Sequence, residues 1–252
     1  MFLRTALLIC CCALFVFFDA SSQSSFKDQQ LKYPRVREAF KNRESVLADE
    51  FDEKGVSLNN AEIFLRGFKQ EQILELWARE KGSGAFKHIK DYAFCSSSGT
   101  FGPKRAQGDK QIPEGFYYID RFNPASFYHL SLGINYPNQS DKILCGSNKP
   151  GGDIFIHGAC VTIGCIPITD DKIGELYVAA VEARNNGQTK IPVHIFPARM
   201  NKGYIHVLGV KGPESLFLFW ENLTTGYTFF EENKRIPAAS VNEQGRYIFY
   251  EE

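Results

Sequence analysis

Between Asp153 and Asp170 the chain reads DIFIHGACVTIGCIPITD, so His157, Cys160, Thr162, Gly164 and Cys165 follow one another closely. A cysteine beside a histidine supports covalent catalysis, metal binding, or a disulfide. Consider covalent catalysis first. The thiolate is the attacking species, and a free thiol with a pKa of about 8.5 is mostly protonated at neutral pH, so it needs a base. His157 ends an apolar run that reads as a short buried strand, and Cys165 lies on the loop that follows. A strand end feeding a compact loop can bring the two within hydrogen-bond reach. Gly164 removes bulk just before the thiol, which lets backbone N–H groups turn toward a developing oxyanion. Thr162 is expected to orient the imidazole. A helix starting near Asp170 would add positive potential if its N-terminus faced the thiolate.

The metal reading uses the same residues. His157, Cys160 and Cys165 are spaced H-x2-C-x4-C, and Cys145, His194 or His206 would supply a fourth ligand to zinc. The spacing matches no common finger pattern, and no second CxxC exists. The bland reading is buried thiols or a disulfide. The residues of this stretch alone leave these three open. A glycine-rich segment, GSNKPGG, lacks the Gly-Lys-Ser/Thr ending of a phosphate loop, so no nucleotide site is expected there.

The elements that must position these residues read as follows. Val36, Phe40, Leu47 and Phe51 recur at helical spacing within Pro34 to Lys54, and Gly55 ends the helix. Ser21 to Tyr33 is polar and reads as a tether. Asn59 to Cys95 is ambiguous by periodicity: it holds either a helix at Gln72 to Glu80 or three strands, AEIFLRGF, QILELWAR and AFKHIKDYAF. Ser96 to Gln111 reads as a loop, GFYYID and Ser126 to Asn135 as strands, and Tyr136 to Asp153 as a long polar connection. Thr169 or Asp170 caps a helix carrying Ile173, Leu176, Tyr177, Ala180 and Val181, which Asn186-Gly187 stops. Ile191 to Phe196 and Tyr204 to Val210 read as strands. A last helix starts at Pro213-Glu214 and is expected to reach about Leu223.

Positive and negative side chains balance at 29 each, so no electrostatic case exists for nucleic acid or an anionic membrane surface. Ala6 to Phe18 is uncharged and apolar, with Arg4 before it and small polar residues after it. This is the pattern of a secretory signal, residues 1–20, or of an uncleaved anchor that would be the only membrane contact. Removing it leaves Cys95, Cys145, Cys160 and Cys165 in an oxidising compartment. Residues 21–58 then form a tether and helix, and 59–252 a catalytic domain.

HGACVTIGC resembles the active-site motif of the L,D-transpeptidases with a YkuD-type catalytic domain: His-Gly, a spacer, then Ser/Thr-x-Gly-Cys. The match is closest to the YafK-like branch, with its compressed spacer. CSSSGTFGPKRAQGDKQIPEGFY, INYPNQSD, VHIFPARM and FWENLTTGY resemble that branch's other segments, in order, and AEIFLRGFKQEQILELW resembles its opening strands. The resemblance implies a mainly β fold with added helices (α+β), a YkuD-like β-sandwich with an N-terminal helical extension. It implies Cys165 as nucleophile, His157 as base, Gly164 as the backbone position of the oxyanion hole and Thr162 as the Ser/Thr position. It implies no cofactor and no metal. The partners would be peptidoglycan stem peptides, in the periplasm or envelope of a bacterium. Hydrolysis that detaches a peptidoglycan-linked lipoprotein is an alternative outcome, and a non-catalytic cell-wall binding module is another. Ile163 stands where most relatives have a second histidine, and Pro167 where many have an arginine. Arg199 and Lys104 are candidates to hold a stem-peptide carboxylate, against the alternatives of an ion pair for Arg199 and a solvated loop charge for Lys104.

Overall fold

A computed structural model describes residues 24–201 and 212–250. The apolar segment at 1–20 and the strand expected at Tyr204 to Val210, with His206, lie outside them.

The region that periodicity left ambiguous is three antiparallel strands. They are β1 (Ala61–Phe68), β2 (Ile73–Glu80) and β3 (Lys87–Ala93). On β1, Ile63 and Leu65 enter one apolar cluster, whereas Phe64 and Phe68 on the other face enter two others. Alternation sends successive side chains to opposite faces. A strand covered on both sides therefore looks continuously apolar, which is why its period was hidden.

Further strands are β4 (Gly115–Asn123), β5 (Ser131–Ile134), β6 (Phe155–His157), β7 (Ile166–Pro167) and β8 (Ile191–Phe196). Together these make one eight-stranded sheet in the order β3-β2-β1-β8-β4-β5-β6-β7. The sheet curls until its edges meet. The Cys95 N–H, just past β3, donates to Pro167 O on β7 at 3.0 Å. A disulfide between Cys95 and Cys160 ties the same corner. The expected β layers are thus the two sides of one curled sheet.

Helix α1 (Phe26–Gln30) and α2 (Pro34–Asp52) pack with α4 (Asp170–Asn185) on one face. Within the polar stretch before Pro34, Phe26–Gln30 is helical and packs on α4. Ser25 and Asp28 form a capping box, and Gln30 accepts a hydrogen bond of 2.7 Å from the buried Tyr177 hydroxyl. Pro34 sits at the first position of α2, where its missing N–H costs nothing. Leu47 and Phe51 are fully buried beneath it, each contributing about 1.5–3 kcal/mol.

The other face is covered by α5 (Glu214–Asn233), which runs well past Leu223. Gly226 does not end it, because a β-carbon there would meet Phe116 and Phe249 within 2.8 Å. That glycine allows close packing, and the helix stops instead at Lys234 in a left-handed conformation. The tail forms a hairpin, β9 (Ala238–Val241) with β10 (Tyr247–Tyr250). Asn222 clamps it to α5 by bonding both N–H and C=O of Tyr247.

Two more expectations need correction. Only Ser131–Ile134 of the stretch from Ser126 is strand. His129 has a positive φ of 67, and Arg35 holds the carbonyls of Ser126 and His129, so the chain there is a fixed loop. The connection after Tyr136 contains a short helix, α3 (Gln139–Leu144), with an Asn138/Asp141 capping box.

The disulfide spans a sequence separation of 65, for which chain entropy predicts about 4 kcal/mol of stabilisation. Replacing Cys95 and Cys160 together by serine should lower stability in urea by about 2–4 kcal/mol. A loss under about 1 kcal/mol would show that the corner is held without the covalent bond.

Candidate active site

Cys165 immediately precedes β7 and lies beside the start of β6. The Phe155 N–H points at its sulfur at 3.4 Å, and the thiol points at Asp153 O at 3.6 Å. Two residues further along β6, on the same face as Phe155, comes His157, whose register partner on β7 is Pro167. His157 therefore lies on β6, and Cys165 lies just before β7, the strand paired with β6. In this resting arrangement the sulfur's hydrogen bonds go to backbone atoms rather than to the imidazole, and such bonds often close only with substrate present.

The imidazole is locked. His157 is 2% exposed, and its Nδ1 lies against the Gly158 carbonyl. A carbonyl only accepts, so Nδ1 carries the proton and Nε2 keeps the lone pair. The Tyr128 ring lies over the imidazole at 4.7 Å, tilted by 35°. Nothing in the sequence announced Tyr128, because its place depends on the loop fixed by Arg35.

Both titrating groups are pushed toward their neutral forms. Burial lowers the pKa of His157, and the Gly158 contact opposes it. Burial raises the pKa of the Cys165 thiol. The Phe155 N–H opposes that rise, the Asp153 carboxylate adds to it, and Lys104 opposes it. The resting state is thus a thiol and a neutral imidazole.

The loop carrying Cys165 is shaped by its own small residues. Gly164 has a φ of 133, and a β-carbon there would stand 3.0 Å from Gln111 O. Its N–H donates to Thr162 Oγ1 at 3.1 Å, and that hydroxyl donates to Cys165 O at 2.8 Å. Thr162 therefore orients the loop backbone, not the imidazole. The Gly164 N–H is already used, whereas the Cys165 N–H has no protein acceptor among the described residues. The helix behind the loop contributes differently from expectation. Asp170, at the start of α4, accepts from Ala159 N at 2.8 Å, so a carboxylate offsets the helix's positive end.

Cys160 is oxidised with Cys95, so it is not a thiolate ligand and the His157/Cys160/Cys165 zinc set is not formed. Cys145 is buried and Cys165 is part-exposed, and both are free thiols. Among the described residues the cluster Glu75, His88 and Asp91 also has metal-ligating types. Glu75, however, is already bonded to Arg66, Arg199 and Trp77.

Lys104 and Arg199 are placed as structural cations. Lys104 is 5% exposed, not solvated, and pairs with Asp109 at 2.7 Å. Burial raises the Asp109 pKa, but Lys104 and the N–H groups of Ala106, Arg105 and Gln111 outweigh it and hold the carboxyl below its ordinary value. Arg199 pairs with buried Glu75 at 2.7 Å and covers the Phe68 ring. A further buried cation, Lys69, missed in the sequence, gives its protons to Gly102 O, Ile112 O and Glu114. Glu114 in turn accepts from Trp220 Nε1 at 2.7 Å. This cluster pins the loop whose Gln111 backs Gly164.

The family model for the L,D-transpeptidase catalytic domain, YkuD, matches residues 69–195. The protein named "Putative L,D-transpeptidase YafK" of Escherichia coli K12 is 34% identical over 194 residues, covering 76% of this chain and 75% of that protein. Its counterpart from Escherichia coli O157:H7 has the same identity and coverage. Among solved structures, the helical cell shape determining protein Pgp2 of Campylobacter jejuni superposes with a TM-score of 0.43 at 19% identity, over 73% of this chain and 74% of that one. A K307A mutant of Pgp2 gives a TM-score of 0.43 at 24% identity over 55% of this chain, and Bdellovibrio bacteriovorus Bd1075 gives 0.38 at 23% over 54%. In those two superpositions the match spans about half the length of the relatives, 48% and 47%.

The pH dependence of thiol labelling tests the electrostatics. A raised thiol pKa means less thiolate at pH 7 than an ordinary cysteine has. Labelling of Cys165 by iodoacetamide, mapped by peptide mass, should therefore rise with pH to a midpoint above that of an ordinary cysteine. A rate already at its plateau at pH 7 would instead reveal a preformed thiolate–imidazolium pair.

Proposed function

This chain belongs to the L,D-transpeptidase family that shares the YkuD catalytic domain, and on that footing we propose that it is an exported cysteine acyltransferase acting on peptidoglycan stem peptides. The observation that carries the reading is the pairing of a free, part-exposed Cys165 with a buried His157 whose Nε2 is left unprotonated.

The chemistry follows from those atoms. His157 Nε2 takes the proton of the Cys165 thiol. The sulfur attacks a stem-peptide carbonyl, and the electron pair of the C=O bond moves to oxygen. The Cys165 N–H stabilises that oxyanion; in the general case one such donor is worth about 3–4 kcal/mol of barrier. Collapse breaks the C–N bond, and the leaving amine takes its proton from the imidazolium. A thioester on Cys165 remains. An amine acceptor attacks it to form a new amide and regenerate the thiol, whereas water gives a carboxylate. Tyr128, whose ring lies tilted over the imidazole, holds it in place through both proton transfers. Lys104 and Arg199 act through the loops they anchor rather than by holding substrate.

Location follows from the substrate: peptidoglycan lies in the cell envelope. The apolar N-terminal segment is the feature that would deliver the chain there. Among the described residues, no helix is long and apolar enough to cross a membrane.

The test is product analysis with two substrates in parallel, a tetrapeptide donor with an amine acceptor and a lipoprotein-linked muropeptide. Wild type should give an acyl adduct on Cys165, and the products report whether it joins or cuts. Cys165→Ala should abolish turnover and adduct, and His157→Gln should lower kcat by about 10²–10⁴-fold. Turnover by Cys165→Ala equal to wild type would refute the mechanism. Absence of turnover in wild type, with intact binding to cell walls, would make the protein a binding module.

A further inference from the structure

A spacious cleft lies away from Cys165. It has a volume of about 720 Å³, within the usual range of ligand sites. Its walls are the start of β1 (Glu62), the end of β2 (Arg79) with the Gly82–Gly84 turn, the approach to β8 (Lys190), and Arg235 beyond α5. Strand direction places it. β1 enters at Glu62 and leaves at Phe68, β2 returns antiparallel, and β8 runs parallel to β1. Cys165 sits with the other ends: Cys95 just past β3, Gln111 before β4, and the first residues of β6 and β7. The eight residues of β1 span about 25 Å, so the cleft and the thiol lie at opposite ends of the sheet.

The cleft is cationic by construction. Arg79 is fixed, with Nε and Nη2 on Glu62 at 2.8 and 2.7 Å and its guanidinium over the Phe86 ring. Lys190 and Arg235 are exposed, and neither forms an ion pair among the described residues. Lys190 instead lies over the Tyr118 ring at 5.0 Å. Three cations thus face one carboxylate, an excess of two positive charges in a chain whose total is balanced. Guanidinium and ammonium groups held this way suit a carboxylate on a flexible ligand.

We propose that this cleft is a second, non-catalytic site that binds the carboxylates of peptidoglycan stem peptides. This rests on the peptidoglycan reading above and deepens it. The substrate is a polymer that repeats its carboxylate-bearing stems, so one molecule reaches sites at both ends of the sheet, whereas a single-stem fragment occupies only one. Tethering at the second site raises the effective concentration of neighbouring stems at Cys165 without touching the chemistry. The cleft therefore makes the protein selective for intact wall over released fragments.

The experiment measures co-sedimentation with insoluble peptidoglycan sacculi, in a Cys165→Ala background so that no turnover intervenes. Lys190→Glu with Arg235→Glu should weaken sacculus binding at least 10-fold at low salt, and most of the difference should vanish at high salt. With Cys165 restored, the same pair should turn over a soluble single-stem muropeptide at the unaltered rate. Thermal melts check folding, and Lys190→Gln with Arg235→Gln serves as the milder pair if the reversals do not fold. Unchanged sacculus binding overturns the proposal. So does an equal loss on the soluble fragment, which would place the cations in the catalytic groove. Anionic phosphatidylglycerol vesicles form a parallel arm. Cleft-dependent vesicle binding with unchanged sacculus binding assigns the cleft to phosphate and also overturns the proposal. If Cys165 is not the nucleophile, only the turnover arm changes, so the two readings fail separately.

Discussion

A curled sheet has two edges, and the placement of Cys165 depends on how these two are joined. Cys95 does this twice, through its N–H to Pro167 O and through its sulfur to Cys160. β7 is only two residues long and could not hold a position by its own ladder. Anchored to the end of β3 on one side and to β6 on the other, it becomes a fixed ledge. Cys165 and His157 stand on that ledge and its neighbour. The disulfide thus does more than stabilise a domain already large enough to fold. It also fixes the loop that carries Cys165 against the end of β3.

Burial governs the electrostatics of that ledge. A desolvated imidazole loses its charged form and a desolvated thiol loses its own, so both shifts favour the neutral pair. An ion pair at rest would make the thiol reactive toward any electrophile. The neutral pair keeps the thiol in its less reactive, protonated form. Around the site, buried cations are satisfied by carbonyls and carboxylates rather than left to meet substrate. Lys69 gives three hydrogen bonds, and Lys104 is held by Asp109 and Ala106 O. Removing one partner of such a set leaves a buried charge, which costs several kcal/mol in the general case. The loops behind Gly164 are therefore held by buried, hydrogen-bonded cations.

Much of the frame was legible in the sequence. The helix at Pro34 announced itself by apolar spacing because it buries one face, whereas the helix at Asp170, buried continuously from Ile173 to Ala183, was marked out by its ends, Asp170 and Asn186-Gly187. The opening strands did not, because both faces of β1 are covered and the alternation is lost. Gly226 and Gly245 look alike in the sequence. One permits helix packing, and the other turns a hairpin with a φ of 80. His157 and Cys165 were legible as a pair because they are close in sequence as well as in space. Cys95 and Tyr128 were not, since each meets the site only after the sheet has curled or a loop has been pinned by Arg35. Lys104 and Arg199 show the opposite limit. A cation in a loop has the same letter whether it waits for a carboxylate or already holds one.

The stretch from Asp153 to Asp170 works as a sequence of constraints, each needed by the next. Asp170 fixes the loop's start through Ala159 N, and Cys160 ties its middle to β3. Thr162 then bridges Gly164 N and Cys165 O, which bends the backbone so tightly that only glycine fits against Gln111. Threonine in this motif thus acts on the peptide bond next to the nucleophile. Its two hydrogen bonds fix the backbone on either side of the Gly164–Cys165 peptide. A substitution that kept the hydroxyl would preserve this bend, whereas valine, of similar shape, would lose both bonds and leave Gly164 N unpaired. The apolar Ile163 is 77% exposed between these two fixed residues. The backbone conformation is set by its neighbours, so position 163 is free to differ from relatives without moving the thiol.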